Sequence, residues 1–170
     1  QVYEAFNMAS LWKLPVVFII ENNQYAMGTS VVRASSTDEM FARGLAFNIP
    51  GKAVNGMNVL DVAKEAAHAA DHCRAGKGPF ILEMKTYRYR GHSMSDPAKY
   101  RTREEVQKVR EEKDPIDTLR SILIEEHKVS EKEFKETDAE IKGIVTEASD
   151  FALNSPEPDI KELWTDVYAG

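Results

Sequence analysis

The sequence predicts part of a doubly wound parallel-sheet α/β domain followed by a helical C-terminal extension. Two short runs, residues 14–20 and 80–87, are apolar and β-branched enough to be buried strands covered on both faces. Stretches with helical spacing lie before and between them, the alternation that a parallel sheet flanked by helices requires. Beyond residue 101 the pattern is helical throughout, so the boundary is set there, with 1–101 as the α/β part and 102–170 as the extension.

Taken in order, residues 2–12 carry apolar side chains at Val2, Ala5, Phe6, Ala9 and Trp12, a helical spacing. The run 14–20 follows as a strand with Pro15 near its start and stops at Glu21-Asn22-Asn23. Ser36-Thr37-Asp38 offers N-cap chemistry for a short helix over 39–47, closed before Pro50. Ala53-Val54 reads as a short strand. Asn58 is placed to cap a helix over 59–74, with Asp61 in its first turn and Gly76, Gly78 and Pro79 ending it. The second strand, 80–87, gives way to a loop over 88–99 marked by Gly91, Ser93, Ser95 and Asp96-Pro97. Helices are then expected over 103–113, 115–127 and 130–153, with Pro115 as a first helical residue and Ser130 to Glu133 as a capping box. A last amphipathic piece covers 160–168.

Composition narrows the class. With 170 residues, 42% hydrophobic and 29% charged, the chain has the profile of a soluble globular domain. A net charge of -6 argues against general nucleic-acid binding, and no apolar run approaches a membrane span. The lone Cys73 offers no internal disulfide, in keeping with a reducing compartment.

Two stretches carry candidate chemistry. Glu21-Asn22-Asn23-Gln24-Tyr25 lies just past the carboxyl end of a predicted strand, the edge at which open α/β sheets bind ligands. An Asn amide oxygen and a backbone carbonyl two residues later are hard neutral donors suited to Mg²⁺ beside a diphosphate; a plain turn is the alternative. Tyr87-Arg88-Tyr89-Arg90-Gly91-His92-Ser93-Met94-Ser95-Asp96-Pro97 also follows a strand and gathers cations, hydroxyls and a histidine able to move protons. A solvated basic loop is its plainer reading. His68, His72 and Cys73 have a metal-like spacing, but no further ligand pattern completes a set.

At these stretches the chain resembles the alpha subunits of pyruvate dehydrogenases, in the thiamine-diphosphate-dependent 2-oxo acid dehydrogenase family. Residues 21–29 are similar to the closing half of that family's thiamine diphosphate motif, and residues 87–97 with Tyr100-Arg101-Thr102-Arg103-Glu104-Glu105 to its active-site loop. The resemblance implies a thiamine-diphosphate-binding α/β domain and the cofactors thiamine diphosphate and Mg²⁺. It implies Asn23 as a side-chain ligand of Mg²⁺, Tyr25 as a backbone-carbonyl ligand, and His92 as the loop histidine that reaches the diphosphate and the reacting centre. Arg88 and Arg90 match basic or hydrogen-bonding positions, and Met27 a position near the cofactor rings. The Gly-Asp-Gly that opens the motif is expected just before Gln1, so the chain is expected to be the C-terminal part of such a subunit.

The implied reaction is oxidative decarboxylation of pyruvate with reductive acetylation of a lipoyl group. The implied partners are a pyruvate dehydrogenase beta subunit, in an alpha2beta2 heterotetramer, and the lipoyl domain of a dihydrolipoyl acetyltransferase. Activity is then expected only in the alpha–beta assembly, because the glutamate that activates the cofactor belongs to the beta subunit. Ser93 matches a serine phosphorylated in mitochondrial members, whereas Ala98-Lys99 replaces a stretch carrying another, which points to a bacterial-type, unregulated, cytoplasmic enzyme; a eukaryotic one would lie in the mitochondrial matrix. Branched-chain 2-oxo acid and acetoin dehydrogenase alpha subunits, and a non-catalytic assembly module, are the competing readings.

Overall fold

The computed structural model describes residues 1–168, and residues 169–170 of the expected C-terminal extension lie outside the described residues. The chain forms two compact units, 1–122 and 123–170. In the first, helix α1 (Val2–Leu11) leads into strand β1 (Val17–Asn22). The small strands β2 (Tyr25–Ala26) and β3 (Thr29–Ser30) form an antiparallel hairpin, followed by the short helix α2 (Val31–Ala34). A 3-10 helix (Met40–Phe47), strand β4 (Gly51–Asn55), helix α3 (Val59–Arg74) and strand β5 (Phe80–Lys85) complete the α/β part. Helices α4 (Arg103–Lys113) and α5 (Pro115–Glu125) follow the long loop after β5. The second unit holds helix α6 (Glu131–Asn154) and a 3-10 turn (Ile160–Trp164).

The sheet runs β1-β5-β4 and is parallel throughout. Strand β5 is central and is buried from Phe80 to Met84. Its alternate side chains point to opposite faces. Phe80, Leu82 and Met84 pack with Val54 of β4 and Ala69 and Cys73 of α3, while Ile81 packs with Phe6 of α1 and Ile49. Phe18, Ile20, Phe41 and Phe47 extend the second cluster, with the Phe6 and Phe18 rings edge-on at 4.7 Å. Helices therefore cover both faces, as a doubly wound sheet demands. Helix α3 is capped as expected: Asn58 Oδ1 accepts from the N–H groups of Leu60 (3.0 Å) and Asp61 (3.2 Å). On its sheet-facing side the His68 and His72 rings stand edge-on to Phe80, at 5.6 and 5.3 Å.

Several elements differ from the expected bounds. Strand β1 begins at Val17 and runs on through Glu21-Asn22. Lys13 is left-handed (φ 51°) and Leu14 N–H closes the end of α1 on the Ala9 carbonyl at 2.9 Å, so the chain is still turning at Pro15. Ile19 was expected to be buried and is 61% exposed. The segment expected as an α-helix over 39–47 is a 3-10 helix ending at a left-handed Asn48. Strand β4 is longer than Ala53-Val54, and β5 stops at Lys85, short of Tyr87.

In the second unit, Ser130 and Glu133 form the reciprocal capping box that opens α6: the Glu133 N–H donates to Ser130 Oγ and the Ser130 N–H to Glu133 Oε2. No helix among the described residues is long and apolar enough to cross a membrane.

The unequal burial of two apolar strand residues has a measurable consequence. Leu82→Ala, which empties a fully buried position of β5, is expected to cost about 2–5 kcal/mol in denaturant unfolding. Ile19→Ala is expected to cost about 1 kcal/mol or less.

Candidate functional site

Parallel pairing of β1 with β5 carries both candidate stretches to one edge. Ile20 stands opposite Glu83 and Asn22 opposite Lys85, so Asn23 and the loop after β5 emerge side by side. The turn out of β1 is held by Asn22, a buried amide. Its Nδ2 donates to Glu83 Oε1 (2.6 Å), and its Oδ1 accepts from the N–H (3.3 Å) and Nε2 (3.2 Å) of Gln24. Gln24 is left-handed (φ 73°), a conformation a side chain resists unless its surroundings impose it. The kink falls between Asn23 and Tyr25. The Asn23 side-chain amide has no hydrogen-bond partner among the described residues and lines a cavity of about 400 Å³ with Ile19, Glu21, Gly56, Thr86 and Arg88.

The loop after β5 is organised by Asp96. Its carboxylate accepts from the N–H groups of His92 (2.7 Å) and Ala98 (2.8 Å) and from the Tyr100 hydroxyl (2.9 Å). The two backbone donors, with the hydroxyl adding to them, hold the Asp96 carboxyl below the ordinary Asp range. Gly91 makes the closure possible, since a Cβ there would lie 2.8 Å from the Asp96 carbonyl oxygen. His92 itself is exposed, and its Nδ1 lies 3.1 Å from Arg88 Nη1. A guanidinium can only donate, so this contact selects the imidazole tautomer that carries its proton on Nε2. His92, Ser93, Ser95 and Asp96 line a second cavity of about 290 Å³ with Met27, Gly28 and Tyr100.

Asn23 and His92 thus face different cavities, bridged by Arg88, which lines the first and touches His92 in the second. Tyr25 joins the loop through its ring, 5.3 Å from that of Tyr100. Met27 lies beside His92, and Arg90 is exposed. Beneath the loop sits Arg101, 9% exposed, its guanidinium carbon 5.1 Å from the Tyr87 ring centre and 5.7 Å from those of Tyr25 and Tyr100. It donates through Nη1 to the Arg88 carbonyl, while Nε and Nη2 have no hydrogen-bond partner among the described residues. Glu105 Oε1 of α4 accepts from the hydroxyls of Tyr87 (2.7 Å) and Tyr25 (3.5 Å). Burial and the Glu105 contact push the Tyr87 hydroxyl up to about 12, so it stays a donor at physiological pH.

The dehydrogenase E1 component model matches residues 1–161 of this sequence. The chain belongs to the dehydrogenase E1 component family. It is 58% identical over 167 residues to the pyruvate dehydrogenase E1 component subunit alpha of Rhizobium meliloti (strain 1021), which covers 98% of this chain and 48% of that protein. The subunit of the same name from Zymomonas mobilis subsp. mobilis is 55% identical over 170 residues, covering 100% of this chain and 48% of the relative. The somatic, mitochondrial form from Homo sapiens is 48% identical over 170 residues, covering 99% and 43%. The chain spans about half the length of these curated relatives.

Membership in the E1 family implies thiamine diphosphate, and the donor chemistry at the sheet edge fits part of such a site. An unpartnered amide oxygen on Asn23 and a main-chain carbonyl at Tyr25 flank one kink; both are hard, neutral oxygens. No group of three or more His, Cys, Asp or Glu side chains suited to a metal exists among the described residues. Asp96, Arg101, Glu105 and Glu83 were not singled out from the sequence. Asp96, Arg101 and Glu105 lie inside the quoted stretches without a role assigned to them there, and Glu83 is visible as a lone acid inside an apolar strand.

Because Asp96 has a lowered value in the folded loop, its contribution is complete above the ordinary Asp value of about 3.9 and is lost as pH falls through the lower folded value. Proteolysis of the loop is therefore expected to be flat from neutral pH down to the ordinary Asp range and to rise below it. Asp96→Asn is expected to raise cleavage already at neutral pH and to flatten the acid rise.

Proposed function

We propose that this chain is the part of a pyruvate dehydrogenase (acetyl-transferring) alpha subunit that completes the Mg²⁺–thiamine diphosphate site and carries the active-site loop. The observation that supports this most is the 58% identity to a named alpha subunit over 167 residues, spanning both motifs at one sheet edge. The relatives' names favour pyruvate over the branched-chain and acetoin readings. The partners are a beta subunit, in an alpha2beta2 heterotetramer, and the lipoyl domain of an acyltransferase. The compartment follows the source: cytoplasm in a bacterium, mitochondrial matrix in a eukaryote.

In this reading Asn23 Oδ1 and the Tyr25 carbonyl would hold Mg²⁺, a hard cation that would neutralise charge on the diphosphate. Thiamine diphosphate, when bound, supplies the electron sink for loss of CO₂. Arg88, lining the Asn23 cavity, contributes positive charge toward the diphosphate. It also holds His92 with the Nε2 proton available for donation, which suits a histidine that hands a proton to the lipoyl sulfur during acetyl transfer. Asp96 fixes the His92 backbone and Arg101 fixes the Arg88 carbonyl, so proton donor and anion contact are oriented together. Ser93 lines the same cavity as His92. A phosphate on it would add nearly two negative charges beside the Arg88–His92 pair and oppose an anionic ligand.

In the assembled alpha–beta enzyme, Asn23→Ala is expected to weaken Mg²⁺–thiamine diphosphate binding by about 1–3 kcal/mol in calorimetric titration. Unchanged affinity would remove Asn23 from the metal site. His92→Ala is expected to depress reductive acetylation of a lipoyl domain more than decarboxylation assayed with an artificial electron acceptor. Equal losses in the two assays would make His92 a cofactor anchor only.

A further inference from the structure

Glu83 is the most deeply buried ionisable group in the sheet, with 0% exposure, and the chemistry outlined above does not use it. It lies on the α1 side of β5, two residues beyond Ile81, where an aliphatic side chain would continue the core. Both of its carboxyl oxygens are occupied. Oε1 accepts from Asn22 Nδ2 (2.6 Å), and Oε2 accepts from the N–H of Phe41 (3.1 Å), in the first turn of the 3-10 helix. A carboxylate there dictates how the Asn22 amide is turned, since only the NH₂ end can face it. The amide oxygen must then face the other way, toward Gln24.

That oxygen takes the Gln24 N–H at 3.3 Å and Nε2 at 3.2 Å, and Nε2 also donates to the Asn22 carbonyl at 3.3 Å. These contacts span Asn23 and end on Gln24, the left-handed residue that separates Asn23 from Tyr25. Resting on the proposed Mg²⁺ roles of those two residues, we infer that Glu83 is a positioning residue for the metal site, acting through Asn22 to set the Gln24 kink and hence the spacing of the two ligand oxygens. Glu83 touches neither metal nor cofactor. Its hold on Phe41 ties the same kink to the helix packed beneath it, so the ligand turn is referenced to two elements of the scaffold at once.

The hydrogen-bond pattern can be inverted without removing it. Glu83→Gln alone leaves one acceptor for two donors, and Asn22→Asp alone sets carboxylate against carboxylate. In the double variant, the new amide at position 83 would donate through its nitrogen to the new carboxylate at position 22. Its oxygen would still accept from Phe41, and the second carboxylate oxygen at position 22 would serve Gln24. In the assembled alpha–beta enzyme, titrated calorimetrically with thiamine diphosphate and MgCl₂, each single substitution is expected to weaken cofactor binding about tenfold or more. The rate at saturating cofactor should fall by less than the affinity does, and the double substitution should recover most of the lost affinity. Gln24→Ala, at a half-buried position that does not threaten the core, should weaken binding by a smaller factor. Single variants with lowered melting temperature but wild-type affinity, a double variant that binds no better than the singles, or unchanged affinity in Gln24→Ala would each overturn the inference. Absence of thiamine diphosphate binding by the wild-type assembly would instead overturn the functional reading on which it rests.

Discussion

The parallel pairing of β1 with β5 joins residues about sixty positions apart, and everything at the candidate site follows from its register. Val17 opposite Phe80 and Asn22 opposite Lys85 set where the two strands end together. A slip of one residue would turn Leu82 away from α3 and bring Glu83 out of reach of Asn22. Such a slip is opposed from both faces, because Leu82 and Met84 are buried against one helix layer and Ile81 against the other. The hydrophobic core thus does more than stabilise; it indexes two polar segments against each other.

On that indexed edge the polar groups form two separate systems. One starts inside the sheet: the buried Glu83 and Asn22, with the half-buried, kinked Gln24. The other is a surface loop closed on Asp96 and backed by Arg101 among the rings of Tyr25, Tyr87 and Tyr100. Tyr25 belongs to both, since its backbone follows the kink and its ring packs on the loop. Glu105 accepts from Tyr25 and Tyr87 alike and so anchors the loop to α4. A change at the Asn22–Gln24 turn is therefore felt by the loop through the Tyr25 ring as well as through Arg88.

Much of this was legible in the sequence because it depends on local signals. Residues 59–74, with Asn58 before them, and residues 80–87 announce a capped helix and a buried strand, the latter ending at Lys85, and the long loop after β5 is marked by Gly91 and Asp96-Pro97. Asn23, Tyr25 and His92 could be named from their place after strands and from resemblance. The shifts in β1 and in the 39–47 segment arise from tertiary terms. Glu21 and Asn22 are polar, yet they stay in the strand because β5 offers them ladder partners. The Met40–Phe47 helix is wound tightly where Gly44 meets Ile81 and Ile49, a contact that no window of local periodicity contains. Asn22 and Glu83 are 61 residues apart, so a pattern read along the chain cannot couple them. The Met27-Gly28 turn reads as motif but not as hairpin, since Met27 adopts a left-handed φ of 52° that its side chain gives no reason to expect.

Helix α6 contrasts with the sheet in how its order is maintained. Its capping box satisfies the first turn, but none of its residues is buried, and Ile141, Ile144, Val145 and Phe151 are all exposed. With those side chains in solvent, its capping box and intrinsic propensity carry more of its order than burial does. Strand β5, by contrast, opens only when the whole core does. Each unit is therefore ordered in its own way: the sheet edge that carries the candidate site is held by the buried core, whereas α6 draws its order from its own ends and backbone.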